Sequence, residues 1–256
     1  MNTVRTLSDT KRAFYAQHQR PINAVYRRVV EELMVEMHLL SVNQHFKYNP
    51  LYALGVVTTY SRFMTGYLPE SDISAIFSAI CQAVDSSAEQ YRQDAEALTN
   101  AVSGLSTSDL KQRFESAKSG GEGVLASTLG AIAADENYKY TRLIAVGLYT
   151  LVESIDPDIL ADKDKRVELM NALSESIGLS GDKVEKDLEL YRSNLDKLAQ
   201  AQEVMKDIIE ADRKKRDERA QAATQPKAAE SSDDEADNGT DSEADSKDEA
   251  QVSEPS

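Results

Sequence analysis

Side chains that could perform acid–base or metal chemistry are sparse in this sequence. Its histidines are His18, His38 and His45. None of them forms a His-x-x-x-His pair or a Cys/His cluster, and no Gly-x-Ser-x-Gly turn or His-Glu-x-x-His motif occurs. We therefore interpret the histidines as helix-surface or core-edge residues. The sequence predicts no catalytic residue, no metal ligand and no cofactor.

The one cysteine, Cys81, excludes an internal disulfide and fits a reducing compartment. It lies at helical steps from Phe77 and Val84, both apolar. This spacing predicts a buried small hydrophobic side chain and not a reactive thiol.

A glycine-rich segment at residues 119–123 raises the alternative of a phosphate-binding loop. Such a loop needs a preceding strand and a following lysine and hydroxyl residue, and the sequence has none of these here. We interpret the segment as a flexible connector.

Helical periodicity and capping residues predict the elements that hold these side chains, and no segment alternates as a strand would. The sequence therefore predicts an all-α fold with a multi-helix globular domain. The expected helices run from Ser8 or Asp9 to about Gln19, from Pro21 past Leu40, from Asn49-Pro50 to Met64, from Pro69 to Val84, from a capping box at Ser86-Ser87 to Gly104, around Leu110 and Phe114, from Val124 to Ala134, from Tyr138 to about Ser154, and in one or two pieces to Ile177.

Two glycines, Gly55 and Gly147, lie inside apolar helical segments. Glycine in a helix interior costs about 1 kcal/mol relative to alanine. We expect each of them to permit an unusually close approach of another backbone.

The last apolar pattern predicts a long helix over residues 179–220, which at 1.5 Å per residue is roughly 60 Å long. A coiled-coil-like seam repeats at steps of three or four: Val184, Leu188, Tyr191, Leu195, Leu198, Met205 and Ile209, with Gln202 in its one polar position. We therefore divide the chain into an all-helical domain at 1–178, a projecting C-terminal helix at 179–220 and a disordered acidic tail at 221–256.

The second half of this helix is the first candidate partner-binding surface. If it extends beyond the domain, Met205, Ile208 and Ile209 are left for a partner or a second copy to cover. A basic group, Arg213, Lys214 and Arg216, follows them. That group has an alternative role, because cations complement the negative end of a helix dipole.

Charge is distributed unevenly. Of the net −15, residues 221–256 contribute −9, and their composition lacks the apolar side chains needed for folding. That acidic tail favours solubility and disfavours nucleic acid as a partner. The opposite sign occurs near the start, where Lys11, Arg12 and Arg20 are candidate contacts for anionic lipid or an acidic protein. No stretch approaches the ~20 apolar residues of a membrane span, and no secretory or organelle leader is apparent.

Several long blocks of this sequence resemble the thylakoid formation protein family, which is also described as a photosystem II biogenesis factor. The resemblance covers about residues 3–220. The blocks that carry it include Ser8-Asp9-Thr10-Lys11-Arg12-Ala13-Phe14-Tyr15, Arg20-Pro21-Ile22-Asn23, Tyr48-Asn49-Pro50-Leu51-Tyr52-Ala53-Leu54-Gly55, Gln90-Tyr91-Arg92-Gln93-Asp94-Ala95 and Asp187-Leu188-Glu189-Leu190-Tyr191-Arg192-Ser193-Asn194-Leu195.

The resemblance implies an all-helical, non-enzymatic auxiliary protein of oxygenic phototrophs, peripheral to thylakoids on their cytoplasmic side. It implies a role in photosystem II assembly and repair through interaction with a thylakoid FtsH-type AAA+ protease complex. The apparent lack of an import leader favours a cyanobacterial member. The sequence departs from the family in two places. Ser86-Ser87 stands where the family tends to have a proline-containing helix start, which puts in question the predicted break between the helices on either side of it. The acidic tail has no counterpart in the family.

Two alternatives remain open beside the protease-binding factor. One is a thylakoid membrane-surface or membrane-organising protein that acts through the basic N-terminal segment. The other is an enzyme acting on pigment or lipid, against which stands only the lack of catalytic motifs.

Overall fold

The computed structural model of the protein describes residues 5–224, with side chains up to residue 217. This part of the chain contains eleven α-helices, one turn of 3-10 helix at Ala117–Ser119 and no strand, which confirms the all-α prediction. The helices are α1 (Leu7–Gln17), α2 (Ala24–Ser41), α3 (Pro50–Phe63), α4 (Ser71–Ala83), α5 (Ala88–Val102), α6 (Thr107–Glu115), α7 (Val124–Ala133), α8 (Arg142–Ile155), α9 (Pro157–Ala161), α10 (Lys163–Ser176) and α11 (Gly181–Thr224).

Short polar side chains fix where most of these helices begin. Asn49 accepts a hydrogen bond from the backbone N–H of Tyr52 over 3.0 Å, and Pro50 occupies the first turn of α3, where its missing N–H is not needed. Ser87 accepts from the N–H of Gln90 at the start of α5. The break between α4 and α5 is therefore present, although a proline is absent there.

Two helices begin later than the sequence pattern indicates. Helix α2 starts at Ala24 and not at Pro21, because the side chain of Asn23 accepts from the N–H of Val25 over 3.1 Å. Helix α8 starts at Arg142 and not at Tyr138, because Thr141 accepts from the N–H of Leu143 over 3.0 Å. In both cases the capping residue lies downstream of the residue expected to open the helix.

Helix α3 lies at the centre of the fold and packs most closely against α8 and α5. A Cβ added to Gly55 on α3 would lie 1.7 Å from the carbonyl oxygen of Leu143, and one added to Gly147 on α8 would lie 2.3 Å from the carbonyl oxygen of Leu51. The two backbones therefore touch directly at both positions. The expectation of close approach at these glycines is confirmed.

The chain divides into two compact units, Met1–Ile209 and Glu210–Ser256. The boundary falls within α11, whose continuous span confirms the predicted long C-terminal helix. Of the predicted acidic tail, residues 225–256 lie outside the described residues. Among the helices of residues 5–224, none is long and apolar enough to cross a membrane.

Candidate partner-binding surface

The first half of α11 attaches to the helical bundle through its predicted apolar seam. Val184 and Leu188 are buried in the main core. About one turn and three turns beyond Leu188, Tyr191 and Leu198 join a second, smaller cluster that includes Phe63 of α3. The rings of Tyr191 and Phe63 are edge to face, with centroids 5.7 Å apart. Apolar burial therefore fixes this part of the helix.

Gln202, the polar residue of the seam, also attaches α11 to the helical bundle. Its Nε2 donates one hydrogen bond to the hydroxyl oxygen of Tyr26 over 3.1 Å and another to the carbonyl oxygen of Thr65 over 2.8 Å. The Tyr26 hydroxyl itself donates to the same carbonyl over 3.2 Å. This small network ties α11 to α2 and to the turn after α3.

Two side-chain contacts beside α11 join α8 to α2 and the segment before α8 to α11. Arg142 donates from Nε to Glu36 over 2.6 Å, and the hydroxyl of Tyr140 donates to Asp187 over 2.7 Å. Burial raises the pKa of Glu36, Arg142 opposes that rise, and the nearby charge of Asp187 adds to it. Glu36, Arg142 and Asp187 border a cavity of about 390 Å³, whose walls include Leu33, Phe63, Leu143, Val146, Tyr191 and Leu198.

Beyond Gln202, three large apolar side chains of α11 are exposed. Val204, Ile208 and Ile209 are 58%, 57% and 60% exposed, and we call these three the α11 apolar patch. Met205 differs from its neighbours because it is half-buried, with its sulfur 3.6 Å from Nδ2 of Asn23. The structure therefore brings Ile208 and Ile209 to the surface and turns Met205 toward the start of α2.

The basic candidates of α11 belong to the second unit. Arg213 lies 4.0 Å from Asp217, one turn further along the same helix. Lys214 and Arg216 are exposed. Helix α11 continues to Thr224 and has no basic residue in its last turn, so the expected role of this group as a complement to the helix dipole is not supported.

The basic candidates near the start of the chain each have an acidic neighbour. Arg12 lies 3.3 Å from Asp9 on its own helix. Lys11 lies 3.7 Å from Glu31. Arg20 lies 2.8 Å from Asp72, a buried residue of α4. These pairs reduce the positive charge that this segment can present to an anionic surface.

The sequence analysis missed Val204, which lies outside the seam. The signal was available, because Val204 and Ile208 are four residues apart and therefore form a second apolar stripe next to the seam. The pairs Glu36–Arg142 and Asp187–Tyr140 could not be found from local sequence patterns, because their members are 106 and 47 residues apart.

The described residues offer no arrangement that suggests catalysis. His18 and His38 are buried, and Nδ1 of His38 shares a 2.9 Å hydrogen bond with the hydroxyl of Thr10. His45 is exposed. Cys81 is fully buried, which confirms the prediction for it, and residues 5–217 contain no cluster of three side chains suited to a metal ion.

Comparison with known proteins gives consistent matches over the described chain. The family model for Thylakoid formation protein matches residues 6–220. Protein Thf1 of Crocosphaera subtropica is 57% identical over 216 residues, which is 84% of this chain and 88% of that protein. Protein Thf1 of Trichormus variabilis is 56% identical over 229 residues, which is 89% and 98% of the two chains.

Among solved structures, that of Psb29 at 1.55 Å resolution is similar, with a TM-score of 0.74 and 43% sequence identity. The match covers 83% of this chain and 98% of the other. The blocks that suggested the resemblance therefore lie within a region that matches as a whole, from α1 into α11. The chain belongs to the thylakoid formation protein family.

Proposed function

We propose that this protein is a non-enzymatic accessory factor for photosystem II biogenesis and repair and for thylakoid formation. In this proposal it binds a thylakoid FtsH-type AAA+ protease complex and sustains its abundance. It acts at the cytoplasmic face of the thylakoid as a peripheral protein, and its effect on photosystem II is indirect, through the protease.

The α11 apolar patch is the observation that carries this proposal. Three large apolar side chains within six residues, each more than half exposed, are better explained by a protein partner than by solvent contact. An amphipathic helix presenting such residues is a recurrent recognition element, because its apolar face can enter a groove on the partner. Ile208 and Ile209 were candidates from the sequence, and Val204 extends the same surface.

A variant that changes only this patch gives the sharpest test. Val204, Ile208 and Ile209 are replaced together by Gln, which keeps helix propensity and removes the apolar surface. We expect the variant to remain folded and to recover much less FtsH-type protease from solubilised cyanobacterial thylakoids, measured by affinity capture and mass spectrometry. Truncation after Leu198 would be less specific, because it also removes the contacts of Gln202.

The matched control is Leu68→Gln. Leu68 is 76% exposed and lies between α3 and α4, so this change removes an apolar side chain elsewhere that is more accessible than any residue of the patch. The control should recover the protease at the wild-type level. Full recovery by the patch variant would show that this surface is not the docking site.

The membrane-surface alternative makes a different prediction. If lipid binding is the activity, replacing Lys11, Arg12 and Arg20 by Gln should abolish co-flotation with anionic vesicles. Recovery of the protease should then fall together with vesicle binding. The acidic neighbours of all three side chains argue against this alternative. We expect the triple Gln variant to recover the protease normally.

A further inference from the structure

One face of α11 borders the cavity between α2 and α11 and continues along the helix into the α11 apolar patch. Leu190, Lys197 and Ala201 line the cavity on this face. At about 100° per residue, they lie within about 60° of Val204 and Ile208 around the helix axis. From Leu190 to Ile208 this face is roughly 27 Å long. The cavity and the patch are therefore two parts of one surface.

Helix α2 forms the other wall of the cavity and runs antiparallel to α11. Glu36, late in α2, lies near Asp187, early in α11, whereas Tyr26, early in α2, hydrogen-bonds to Gln202. Helix α2 begins at Ala24, so its wall stops close to Gln202, and the α11 apolar patch lies beyond it. We call the cavity and the patch together the α2–α11 groove.

Apolar side chains on the edges of this groove are accessible from outside. Leu190 is 48% exposed and Ala201 is also exposed, while Val25 and Val29 of α2 are half-buried. The cavity volume of about 390 Å³ is within the range of pockets that enclose a ligand, so side chains of a partner can enter between the two helices. A partner with a stripe of apolar side chains therefore fits both parts of the groove.

The charged residues that line the cavity have partners within the protein, with one exception. The pairs are Arg28–Glu32, Arg142–Glu36 and Asp187–Tyr140. Lys197 is exposed, and its side chain has no ion pair or hydrogen bond in the part of the chain that the structure describes. Because complementary charges give interfaces their specificity, a carboxylate of the partner is favoured opposite Lys197.

The backbone around the groove favours a helix as its occupant. Every residue that lines the cavity belongs to α2, α3, α8 or α11, whose backbone groups are bonded within these helices. An extended peptide would find no strand edge here, and its own buried backbone groups would stay unpaired at a cost. A helix satisfies its own backbone groups and presents its side chains to the groove.

From these observations we infer that the α2–α11 groove binds one amphipathic helix of the partner, about five turns long, with a carboxylate opposite Lys197. The inference rests on the proposed function, because the partner is the same protease complex. It adds α2 and the cavity to the docking site and specifies the kind of element that the protease complex contributes.

The test is site-specific photo-crosslinking of the full-length protein. Leu190 or Ile208 is replaced by p-benzoylphenylalanine, the protein is irradiated with solubilised cyanobacterial thylakoids, and crosslinked peptides are identified by mass spectrometry. We expect both positions to crosslink to one segment of one protease subunit. In a helix the two attachment points should lie about 18 residues apart, whereas in an extended segment they would lie about 8 residues apart.

The control position is Arg192, an exposed residue two positions from Leu190 and therefore on the other side of α11. It should give no crosslink to the same segment. Crosslinks from position 208 alone would overturn this inference and leave the proposed function standing, whereas a lack of crosslinks to the protease from both positions would overturn both. A spacing near 8 residues, or crosslinks to a second copy of this chain, would also overturn the inference.

The carboxylate opposite Lys197 has a test of its own. Lys197→Met keeps the apolar stem of the side chain and should lower recovery of the protease about twofold to fivefold, as expected for an exposed ion pair. Lys197→Arg should restore recovery, and Arg192→Met, which removes a cation from the other side of α11, should leave it unchanged. Equal recovery by Lys197→Met and the wild type would overturn this part of the inference.

Discussion

Gln202 of α11 donates a hydrogen bond to the hydroxyl of Tyr26 of α2, across 176 residues of sequence. This bond and the second one, to Thr65, occur where the buried seam ends and the exposed α11 apolar patch begins. Gln202 therefore attaches α11 to the bundle directly before the surface that we assign to a partner.

Replacing Gln202 by Ala should loosen this attachment and leave the bundle intact. Two hydrogen bonds are lost, at about 1 kcal/mol net each. Amide hydrogen exchange should therefore accelerate in residues 195–209 and stay unchanged in α3 and α8. The neighbouring exposed Gln200→Ala is the control, and equal exchange in both variants would contradict the role given to Gln202.

The glycines of the α3–α8 contact predict a graded series of stability changes. Gly55→Ala should destabilise by about 3 kcal/mol and Gly147→Ala by about 1 to 3 kcal/mol, because each new methyl group would meet a backbone carbonyl. Gly130→Ala on α7 is the control: its Cβ would lie 3.2 Å from the carbonyl oxygen of Ala117, and alanine gains about 1 kcal/mol in helix propensity. Urea unfolding should rank the three in this order, and a neutral Gly55→Ala would refute the contact.

Glu36 predicts a specific dependence of stability on pH. Burial raises its pKa above the ordinary value of 4.5, so the folded state binds this proton more tightly than the unfolded state. The stability that the protonated Glu36 contributes is therefore fully present below pH 4.5 and is lost as the pH rises through the higher pKa of the folded state. Glu36→Gln cannot lose this proton. The free energy of unfolding of the variant, relative to that of the wild type, should therefore rise as the pH increases above 4.5.

The measurement is urea unfolding of both proteins at pH values from below 4.5 to neutral. Glu32→Gln, an exposed change on the same helix, is the control and should leave the wild-type dependence largely unaltered. A Glu36→Gln variant whose relative stability falls with pH would show that the Arg142 pair outweighs burial.

Cys81 should be chemically silent in the folded protein. It is fully buried, and burial raises the pKa of its thiol to about 12, so neither access nor the thiolate is available at neutral pH. A thiol-reactive chromophore should label it slowly, at the rate of unfolding, and rapidly in denaturant. Fast stoichiometric labelling under native conditions would contradict the buried assignment.

The parts of the fold that the sequence predicted are those encoded by neighbouring residues. The Asn49-Pro50 start of α3 and the seam of α11 depend on residues within a turn or two of each other. The start of α8 did not follow from its pattern, because Tyr138 and Tyr140 are held by distant partners, Asn49 and Asp187. Hydrophobic periodicity cannot predict contacts between residues so far apart in the sequence.

The candidate surface likewise has features set by neighbouring residues, which the sequence predicted, and features set by distant residues, which it did not. The exposure of Ile208 and Ile209 followed from the length of the helix and its apolar stripe. The pairing of Arg12 with Asp9 is local and could have been predicted, but that of Arg20 with Asp72 joins α4 to the segment before α2. A charge count over residues 1–30 therefore overstated how much free positive charge this segment offers.

The contact between α3 and α8 also limits how the protein can recover from mutation. Each glycine faces a main-chain carbonyl, Gly55 that of Leu143 and Gly147 that of Leu51. A clash with a side chain can be relieved by shortening that side chain, but every amino acid carries the carbonyl. A genetic selection for suppressors of Gly55→Ala should therefore return reversion to glycine, and no second-site substitution at residue 143 should restore growth.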